Sequence, residues 1–317
     1  MLKKVIIDCD PGHDDIMAIL SVLAHPETFD LLGITTVTGN NLVDKVTDNL
    51  LKVLSFIGVN VPVAKGYHEP LVLGSEPQNA HGMTGLDGPS LPSANLKTID
   101  MHAIEFMKDM ATKNDKITII ALAPLTNVAV FIKTFPELKD KIECITLMGG
   151  SRASGNILKR AEFNIYADPH SADIVFRSGI PVIMSDIEIC LECRTSHEII
   201  DNLKGQGKIH DMVYDILDFF SQYNRRRNVN SSPIFDLVPV MQLLHPELFE
   251  LKKCHVDIEL DGKNTRGMTV VSEGVDCTLV EHVKDNALYN QYFLEDLKTL
   301  ERNNSGNWVV FGEKDEK

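Results

Sequence analysis

The chain has few of the features that mark disulfide-rich or membrane-spanning proteins. Its six cysteines are scattered along 317 residues, which is too sparse for a disulfide scaffold and is typical of a reducing compartment. No apolar run approaches the length of a membrane span, and the N-terminal residues have no hydrophobic signal region. We therefore expect a cytoplasmic protein with no membrane partner.

Positive charge is also scarce. The chain has 31 Lys and Arg residues against 45 Asp and Glu residues, which gives a formal net charge of −14. No basic stripe is present, and the densest basic cluster is the short run Arg225–Arg227. Nucleic-acid-binding domains concentrate positive charge on one face, so we expect no nucleic-acid partner.

Short apolar segments alternate with segments of helical period over most of the chain. Strands are predicted at Val5–Asp8, Leu32–Val37, Ile117–Leu122, Ile142–Met148 and Pro181–Met184. Helices are predicted near Ile16–Leu23, Val43–Ile57, Met101–Met110, Leu125–Thr134, Ser171–Arg177, Ile209–Tyr223, Leu237–Leu244 and Ala287–Leu300. Buried-looking strands separated by amphipathic helices indicate an α/β fold, with a mostly parallel, Rossmann-like central sheet flanked by helices.

The C-terminal part of the chain has a different pattern. Strand-like segments at His255–Leu260, Thr269–Val271 and Cys277–Val280 follow each other with only turns between them, which predicts a small antiparallel addition. No Pro/Gly/Ser-rich linker divides the chain, so we expect one domain over residues 1–317. Two long loop-like stretches, 68–92 and 151–160, are candidates for functional loops, and the charged tail 312–317 is expected to fray.

The most informative motif is a cluster of four aspartates within eight residues. Asp8 and Asp10 lie at the end of a short apolar strand, and Asp14 and Asp15 follow the Pro11-Gly12 turn. Carboxylates this close repel one another and raise each other's pKa, which a hard divalent cation would relieve. The motif therefore favours a catalytic site for Ca²⁺ or Mg²⁺. The alternative is an acidic surface turn in which Asp14 or Asp15 caps a helix, although capping explains only one carboxylate.

Other polar clusters lie where predicted strands end. They are Thr35–Asn40, Ala121–Asn127, Met148–Gly150 and Ala161–Asn164, and the pair Phe235-Asp236 opens a predicted helix. Each cluster is unspecific on its own, because Gly-Asn also forms turns and Leu-Thr-Asn also begins helices. Together, at successive strand ends, we expect them to converge on one pocket.

These segments resemble the inosine-uridine-preferring nucleoside hydrolase family. The most specific segment is Asp8–Asp15, and further matches follow in the family's order at Thr35–Asn40, Pro124–Asn127, Leu147–Gly150 and Glu162–Asn164. The resemblance extends from residue 3 to about residue 300. It implies cleavage of the N-glycosidic bond of ribonucleosides to ribose and free base, one bound Ca²⁺, a role in nucleoside salvage, and a homodimer or homotetramer.

The resemblance also implies a role for individual residues. Metal ligands would be the carboxylates of Asp10, Asp15 and Asp236 and the backbone carbonyl of Leu122, and Asp10 would also be the general base for the attacking water. Substrate-binding positions would be Asp14, Asn40, His81, Met148, Asn156, Glu162, Asn164 and Phe235. Of these, Asp14, Asn40, Glu162 and Asn164 match positions that hold ribose hydroxyls, while His81 matches a loop near the base.

Phe235 is the main departure from the family pattern. Family members that process both purine and pyrimidine nucleosides have a histidine here, which acts as general acid to the leaving base. Phenylalanine cannot donate a proton, but its ring can stack on a purine, as an aromatic residue does in a purine-selective subgroup. We therefore predict a purine preference. In the alternative, Phe235 only packs and the acid is Tyr223, Arg225, His81 or Arg226, or the natural substrate is not a common nucleoside.

Two other functions compete with ribonucleoside hydrolysis. A metal-dependent phosphohydrolase also uses clustered aspartates after a strand, but it usually adds a positioned cation for the phosphate. Here the strand ends offer Asn40, Asn127 and Asn164, which suit neutral hydroxyls. A nucleoside- or sugar-binding protein that has lost catalysis would agree with Phe235, while the intact Asp10 favours an enzyme.

Overall fold

The computed structural model describes residues 2–72, 74 and 81–304. The tail 312–317 and part of the predicted loop 68–92 lie outside these residues. The strands are β1 (Lys3–Cys9), β2 (Phe29–Thr36), β3 (Val63–Lys65), β4 (Ile117–Ala121), β5 (Ile142–Met148), β6 (Val182–Ser185), β7 (Arg194–Ser196), β8 (Ser231–Pro233), β9 (Phe249–Ile258) and β10 (Thr269–Val283).

The helices alternate with these strands along most of the chain. They are α1 (His13–Ala24), α2 (Val43–Ile57), α3 (Ala103–Lys113), α4 (Thr126–Thr134), α5 (Phe163–Ala167), α6 (Pro169–Phe176), α7 (Ile187–Glu192), α8 (His197–Asp201), α9 (Lys208–Arg225), α10 (Leu237–Leu244) and α11 (Asn286–Asn304). Short 3₁₀ helices lie at Pro136–Lys141 and Pro246–Leu248. None of the helices in the described part of the chain has the length and apolar character that crossing a membrane requires.

Eight strands form one sheet in the order β3-β2-β1-β4-β5-β6-β10-β9. Every neighbouring pair is parallel except β9 and β10, which are antiparallel. The predicted α/β class with a mostly parallel sheet is therefore confirmed. Strands β7 and β8 form a separate antiparallel pair. The continuity of the large sheet supports the single-domain interpretation, which stays a prediction.

Both faces of the sheet are covered, and the sequence of β1 shows why. Val5 and Ile7 lie in one hydrophobic cluster, while Ile6 between them lies in the other. Because side chains alternate between the two faces, a strand buried on both must be apolar at successive positions. Helix α1 is buried along its whole length, because it packs against α10 and α11. This burial holds the N-terminus of α1 rigidly at the sheet edge.

The C-terminal antiparallel pair extends the main sheet, because β10 also pairs in parallel with β6. The sequence predicted two short strands at Thr269–Val271 and Cys277–Val280, whereas the structure has one long strand with a shift in register between Ser272 and Cys277. Gly274 lies in this irregular stretch, where a Cβ atom would approach His255 to 2.5 Å. Such a close approach at a strand irregularity requires glycine.

Candidate active site

The predicted site residues converge at the carboxyl ends of the parallel strands. They surround the point where the strand order reverses, between β1 and β4, which is where open α/β sheets bind ligands. A cavity of about 560 Å³ opens there. Ten of the predicted residues line it, namely Asp14, Asn40, His81, Leu122, Met148, Asn156, Glu162, Asn164, Phe235 and Asp236. The other two, Asp10 and Asp15, are fully buried.

Three carboxylates meet at the N-termini of two helices. Asp14 and Asp15 lie in the first turn of α1, and Asp236 is the N-cap residue of α10. One oxygen from each of the three carboxylates lies within 4.8 Å of the other two. Burial and then mutual repulsion raise the pKa of Asp14 to about 8 and that of Asp236 well above its usual range. Because such a group is unfavourable as three anions, it requires protons or a cation.

Asp10 lies beside this group, and Asn40 holds it through two hydrogen bonds. Its Oδ2 accepts a hydrogen bond of 2.5 Å from the backbone N–H of Asn40. The Asn40 side chain in turn donates to the Asp10 carbonyl at 3.1 Å and to Asp15 Oδ2 at 3.2 Å. Gly39 permits this contact, since a Cβ there would lie 1.9 Å from Asp10 Oδ2. Among the described residues, the buried Oδ1 of Asp10 has no hydrogen-bond partner, which leaves it able to accept a hydrogen bond or to bind a cation.

The closest grouping of carboxylates thus differs by one member from the set implied by the family resemblance. It contains Asp14, whereas the resemblance implied Asp10 together with Asp15 and Asp236. Asp14 Oδ1, like Asp10 Oδ1, is buried and unpartnered within the described part of the chain. Asp15 also accepts hydrogen bonds from the N–H groups of Asp10 and Gly12. It therefore caps α1 as well, which the alternative interpretation had expected of one carboxylate.

Asp8, the first aspartate of the motif, has a different environment. Its Oδ1 accepts hydrogen bonds from the Thr35 hydroxyl at 2.6 Å and from Asn127 Nδ2 at 2.7 Å. Burial raises the pKa of Asp8 to about 7, against the lowering effect of these two hydrogen bonds. Asp8 does not line the cavity, so it links β1 to β2 and α4 beneath the site.

The run Glu162–Asn164 forms the start of the short helix α5. Glu162 caps this helix, accepting hydrogen bonds from the N–H groups of Gly150 at 3.0 Å and Asn164 at 2.8 Å. Asn164 Nδ2 donates to the carbonyl oxygens of Leu122 at 2.9 Å and Met148 at 3.2 Å. Burial raises the pKa of Glu162 to about 7. These contacts fix an acid, an amide and two strand-end carbonyls on one side of the cavity.

The loop 151–160 carries Asn156 into the cavity wall. Asn156 Oδ1 accepts a hydrogen bond of 2.9 Å from the Phe163 N–H. The start of the loop is bound by Glu188 of α7, whose carboxylate accepts the three successive N–H groups of residues 152–154 at 2.8, 3.0 and 3.1 Å. Sequence reasoning missed Glu188, because a carboxylate that binds backbone groups 34 to 36 residues away has no local sequence signal.

His81 is paired with His13, which sequence reasoning treated as structural. The two Nδ1 atoms are 3.0 Å apart, and His13 Nε2 lies 2.8 Å from the carbonyl oxygen of Asp87. Both rings also stack on Phe220. Burial lowers the pKa of His81 to about 3 and that of His13 to about 4. Both imidazoles are therefore neutral at pH 7, which argues against His81 as a cationic acid.

Many of the other residues that line the cavity are apolar. These other residues include Phe235 and several that sequence reasoning did not select, namely Ile187, Leu191, Arg194, Phe220, Asn224, Ser232 and Pro233. Of the alternative acids, Tyr223 lines the cavity, whereas Arg225 and Arg226 do not. Arg225 instead pairs with Asp201 at 2.5 Å. The seven lining residues that sequence reasoning did not select come from α7, β7, α9 and β8. Three of these four elements are too short to be recognised by periodicity.

The polar region and the carboxylate cluster agree with one enzyme family. The family model described as "Inosine-uridine preferring nucleoside hydrolase" matches residues 5–290. The chain belongs to this family. It is a nucleoside hydrolase, an enzyme that cleaves the N-glycosidic bond of nucleosides. The resemblance inferred from Asp8–Asp15 and the later segments is therefore confirmed.

Individual relatives differ in the base that their names specify. The chain is 40% identical over 280 residues to the pyrimidine-specific ribonucleoside hydrolase RihA of Photobacterium profundum, covering 86% of this chain and 89% of the relative. Among solved structures, the purine-preferring ribonucleoside hydrolase from Gardnerella vaginalis superimposes with a TM-score of 0.88 at 29% identity, covering 95% and 99% of the two chains. The plant nucleoside hydrolase PpNRh1 gives a TM-score of 0.85 at 28% identity, with the same coverage.

Proposed function

We propose that the chain is a Ca²⁺-dependent ribonucleoside hydrolase that acts on pyrimidine ribonucleosides. The observation that carries the proposal is the group of buried carboxylates Asp14, Asp15 and Asp236 at the base of a cavity lined by amide and carboxylate groups. Ribose hydroxyls are the part of a nucleoside that such groups bind best, because the oxygens accept and the amides donate hydrogen bonds.

The donors present fit a hard divalent cation. Ca²⁺ takes 6–8 oxygen ligands from carboxylates, carbonyls and waters, and the cluster offers oxygen donors only. Asp10, Asp15, Asp236 and the Leu122 carbonyl would hold the ion, and the unpartnered Oδ1 of Asp14 is a further donor. When bound, the ion would neutralise the carboxylates and make a neighbouring water more acidic.

Asp10 is proposed as the general base. Its Oδ2 is fixed by Asn40, while its Oδ1 lacks a partner among the described residues and can accept a proton from the attacking water. The ribose hydroxyls would bind to Asp14, Asn40, Glu162 and Asn164. Met148 and Asn156 would line the ribose pocket, and His81 would lie near the base. These contacts orient the reacting carbon relative to the water.

The base preference rests on different observations. Curated relatives at about 40% identity are named pyrimidine-specific, which favours pyrimidine ribonucleosides. Phe235 favours a second candidate, a purine preference, because an aromatic ring in the cavity wall can stack on a purine. The purine preference predicted from the sequence is therefore the alternative that the experiment must decide.

The deciding experiment measures kcat/KM for uridine, cytidine, inosine and adenosine, with ribose and free base quantified separately. We expect uridine to exceed inosine by at least about tenfold, a difference of about 1.4 kcal/mol. Activity should disappear on chelation and return with Ca²⁺. Faster hydrolysis of inosine would establish the purine candidate. Ca²⁺ uptake with no ribose release would indicate a binding protein, and phosphate release from phosphomonoesters would indicate a phosphohydrolase.

Assembly and location are also proposals. We expect a homodimer or homotetramer in the cytoplasm, as the family resemblance and the sparse cysteines suggest. Light scattering of the purified protein measures the assembly, and a monomer at micromolar concentration would contradict it.

A further inference from the structure

The residues that line the cavity form two chemically different sets. One set is polar and comprises Asp14, Asn40, Glu162, Asn164 and Asp236, and another set is largely apolar and aromatic. A ribonucleoside whose hydroxyls bind to the polar set would present its base to the apolar set. We define the first set, together with the buried Asp10 and Asp15, as the polar floor. The second set, formed by Ile187, Leu191, Arg194, Phe220, Tyr223 and Phe235, is the base wall.

The base wall contains one cation. Of the cavity-lining residues in the described part of the chain, Arg194 is the one lysine or arginine. It opens strand β7, in which Arg194 pairs with Pro233 of β8. Strand β8 leads within three residues to Phe235 and Asp236. Arg194 and Phe235 therefore both line this cavity on neighbouring segments, and Arg194 also lines a second cavity of about 570 Å³ beside α11.

Arg194 has no carboxylate partner. Its Nε donates a hydrogen bond of 2.8 Å to the Ser231 hydroxyl, and an Nη donates to the Ser231 carbonyl. Across residues 2–72, 74 and 81–304, no Asp or Glu oxygen lies within ion-pair distance of it, whereas Arg152 and Arg177 each pair with a carboxylate. In a chain with a net charge of −14, an uncompensated guanidinium beside a cavity is available to an acceptor within it.

Ser231 fixes the direction of the guanidinium. Two of the Arg194 hydrogen bonds go to this one residue, and the Arg194 carbonyl accepts hydrogen bonds from Asn286 at 2.9 Å and Asn290 at 3.0 Å. Burial lowers the pKa of Arg194, but a guanidinium stays charged at any working pH. The charge is thus held in place before substrate binds, as electrostatic catalysis requires.

We infer that Arg194 is a catalytic residue that stabilises the negative charge developing on a departing pyrimidine. The inference rests on the proposed function. A C1′–O bond forms to water, whose proton passes to Asp10, while the C1′–N bond breaks and its electron pair stays on the base. Uracil leaves as an anion with charge on its carbonyl oxygens and then takes a proton from solvent. Arg194 donates charge-assisted hydrogen bonds to those oxygens.

Arg194 would also select between bases. Phe235 cannot protonate a leaving group, so stabilisation of an anion is the route that the base wall offers. A purine is usually activated by protonation, which makes it cationic before it leaves. A fixed guanidinium repels that cation at close range. The same side chain therefore favours pyrimidine release and disfavours purine release.

The test compares leaving groups of different basicity in matched variants. Arg194→Met removes the charge and keeps the length, and Arg194→Lys keeps the charge without the planar donor geometry. We expect Arg194→Met to lower kcat for uridine by about 10²-fold and for 5-fluorouridine by clearly less, because fluorine already stabilises the anion. Arg194→Lys should recover part of the loss, and KM should change little. Arg177→Met, at an exposed arginine paired with Asp173, is the control.

Equal losses on uridine and 5-fluorouridine, or a change confined to KM, would overturn the inference. Circular dichroism and Ca²⁺ uptake verify that each variant is folded. If Arg194→Met does not fold, Ser231→Ala decides, since it removes the hydroxyl that accepts from Nε and so loosens the guanidinium. It should give a smaller loss with the same dependence on leaving group. Hydrolysis of inosine but not uridine by the unmutated enzyme would refute the inference and the pyrimidine preference, while the ribonucleoside hydrolase activity itself would stand. Absence of any ribonucleoside hydrolysis would refute the proposed function first.

Discussion

The polar floor and the base wall are built in different ways. Asp10, Asp14 and Asp15 are buried and come from one continuous segment, where strand β1 turns into helix α1. The base wall collects side chains from α7, β7, α9 and the segment after β8. Two of them are open to solvent, with Tyr223 61% exposed and Leu191 40% exposed. The floor is therefore fixed by the core of the fold, whereas the wall depends on short peripheral elements.

This difference separates two chemical tasks. Every ribonucleoside has the same sugar, so the groups that bind and activate it belong on the rigid strand ends. Bases differ, and peripheral elements can change without disturbing the sheet. This division between floor and wall also accounts for relatives of one fold whose names specify different bases. Changes in the floor should affect all substrates equally, and changes in the wall should affect them unequally.

The largest expected effect is in the floor, at Asp10. Asp10→Asn keeps the shape of the side chain and removes its ability to accept a proton. We expect kcat to fall by about 10³- to 10⁴-fold, by the same factor for uridine and inosine. Thermal unfolding measured in parallel should show a folded protein. Loss of activity on one base class alone would break the division between floor and wall.

A second floor effect concerns the sugar. Asp14, Asn40, Glu162 and Asn164 are buried polar residues, and a missing hydroxyl would leave some of their groups unpaired. We expect kcat/KM for 2′-deoxyuridine to be at least about 10²-fold below that for uridine. Competition assays with both nucleosides measure the ratio. Comparable rates would mean that the floor does not bind the 2′-hydroxyl.

The floor is also the part that sequence reasoning predicted best. Asp10, Asp14 and Asp15 are adjacent in the chain, and their strand-turn-helix pattern is local. Long periodic elements were found too, since β5 and α2 have the predicted bounds, Ile142–Met148 and Val43–Ile57. Glu188 and Arg194 were missed because they lie in elements of six and three residues. Their partners are distant in sequence, so only the folded chain shows what they contact.

An intermediate effect is expected at the loop 151–160, which carries Asn156 into the cavity lining. Glu188 of α7 binds the N–H groups of residues 152–154 and so positions the loop that carries Asn156. Glu188→Ala should raise KM by about tenfold, equivalent to about 1.4 kcal/mol, with a smaller change in kcat. Glu188→Gln keeps one acceptor oxygen and should recover part of the loss. Glu192→Gln, a change to a partly exposed carboxylate on the same helix, is the matched control. Unchanged KM in Glu188→Ala would show that the loop holds its position without this carboxylate.

The smallest expected effect is at Phe235, and it tests most directly whether the base wall acts separately from the polar floor. Its ring lies in the cavity wall next to Asp236, and aromatic contacts are worth about 0.5–1.5 kcal/mol beyond burial. Phe235→Leu keeps apolar volume and removes the aromatic face, so inosine should lose about two- to tenfold in kcat/KM while uridine loses less. Ca²⁺ affinity, measured by calorimetry, should not change, because the carboxylates of the floor are untouched. Equal losses on both nucleosides would show that Phe235 only packs, whereas a loss of Ca²⁺ affinity would show that the base wall and the metal site are one structural unit.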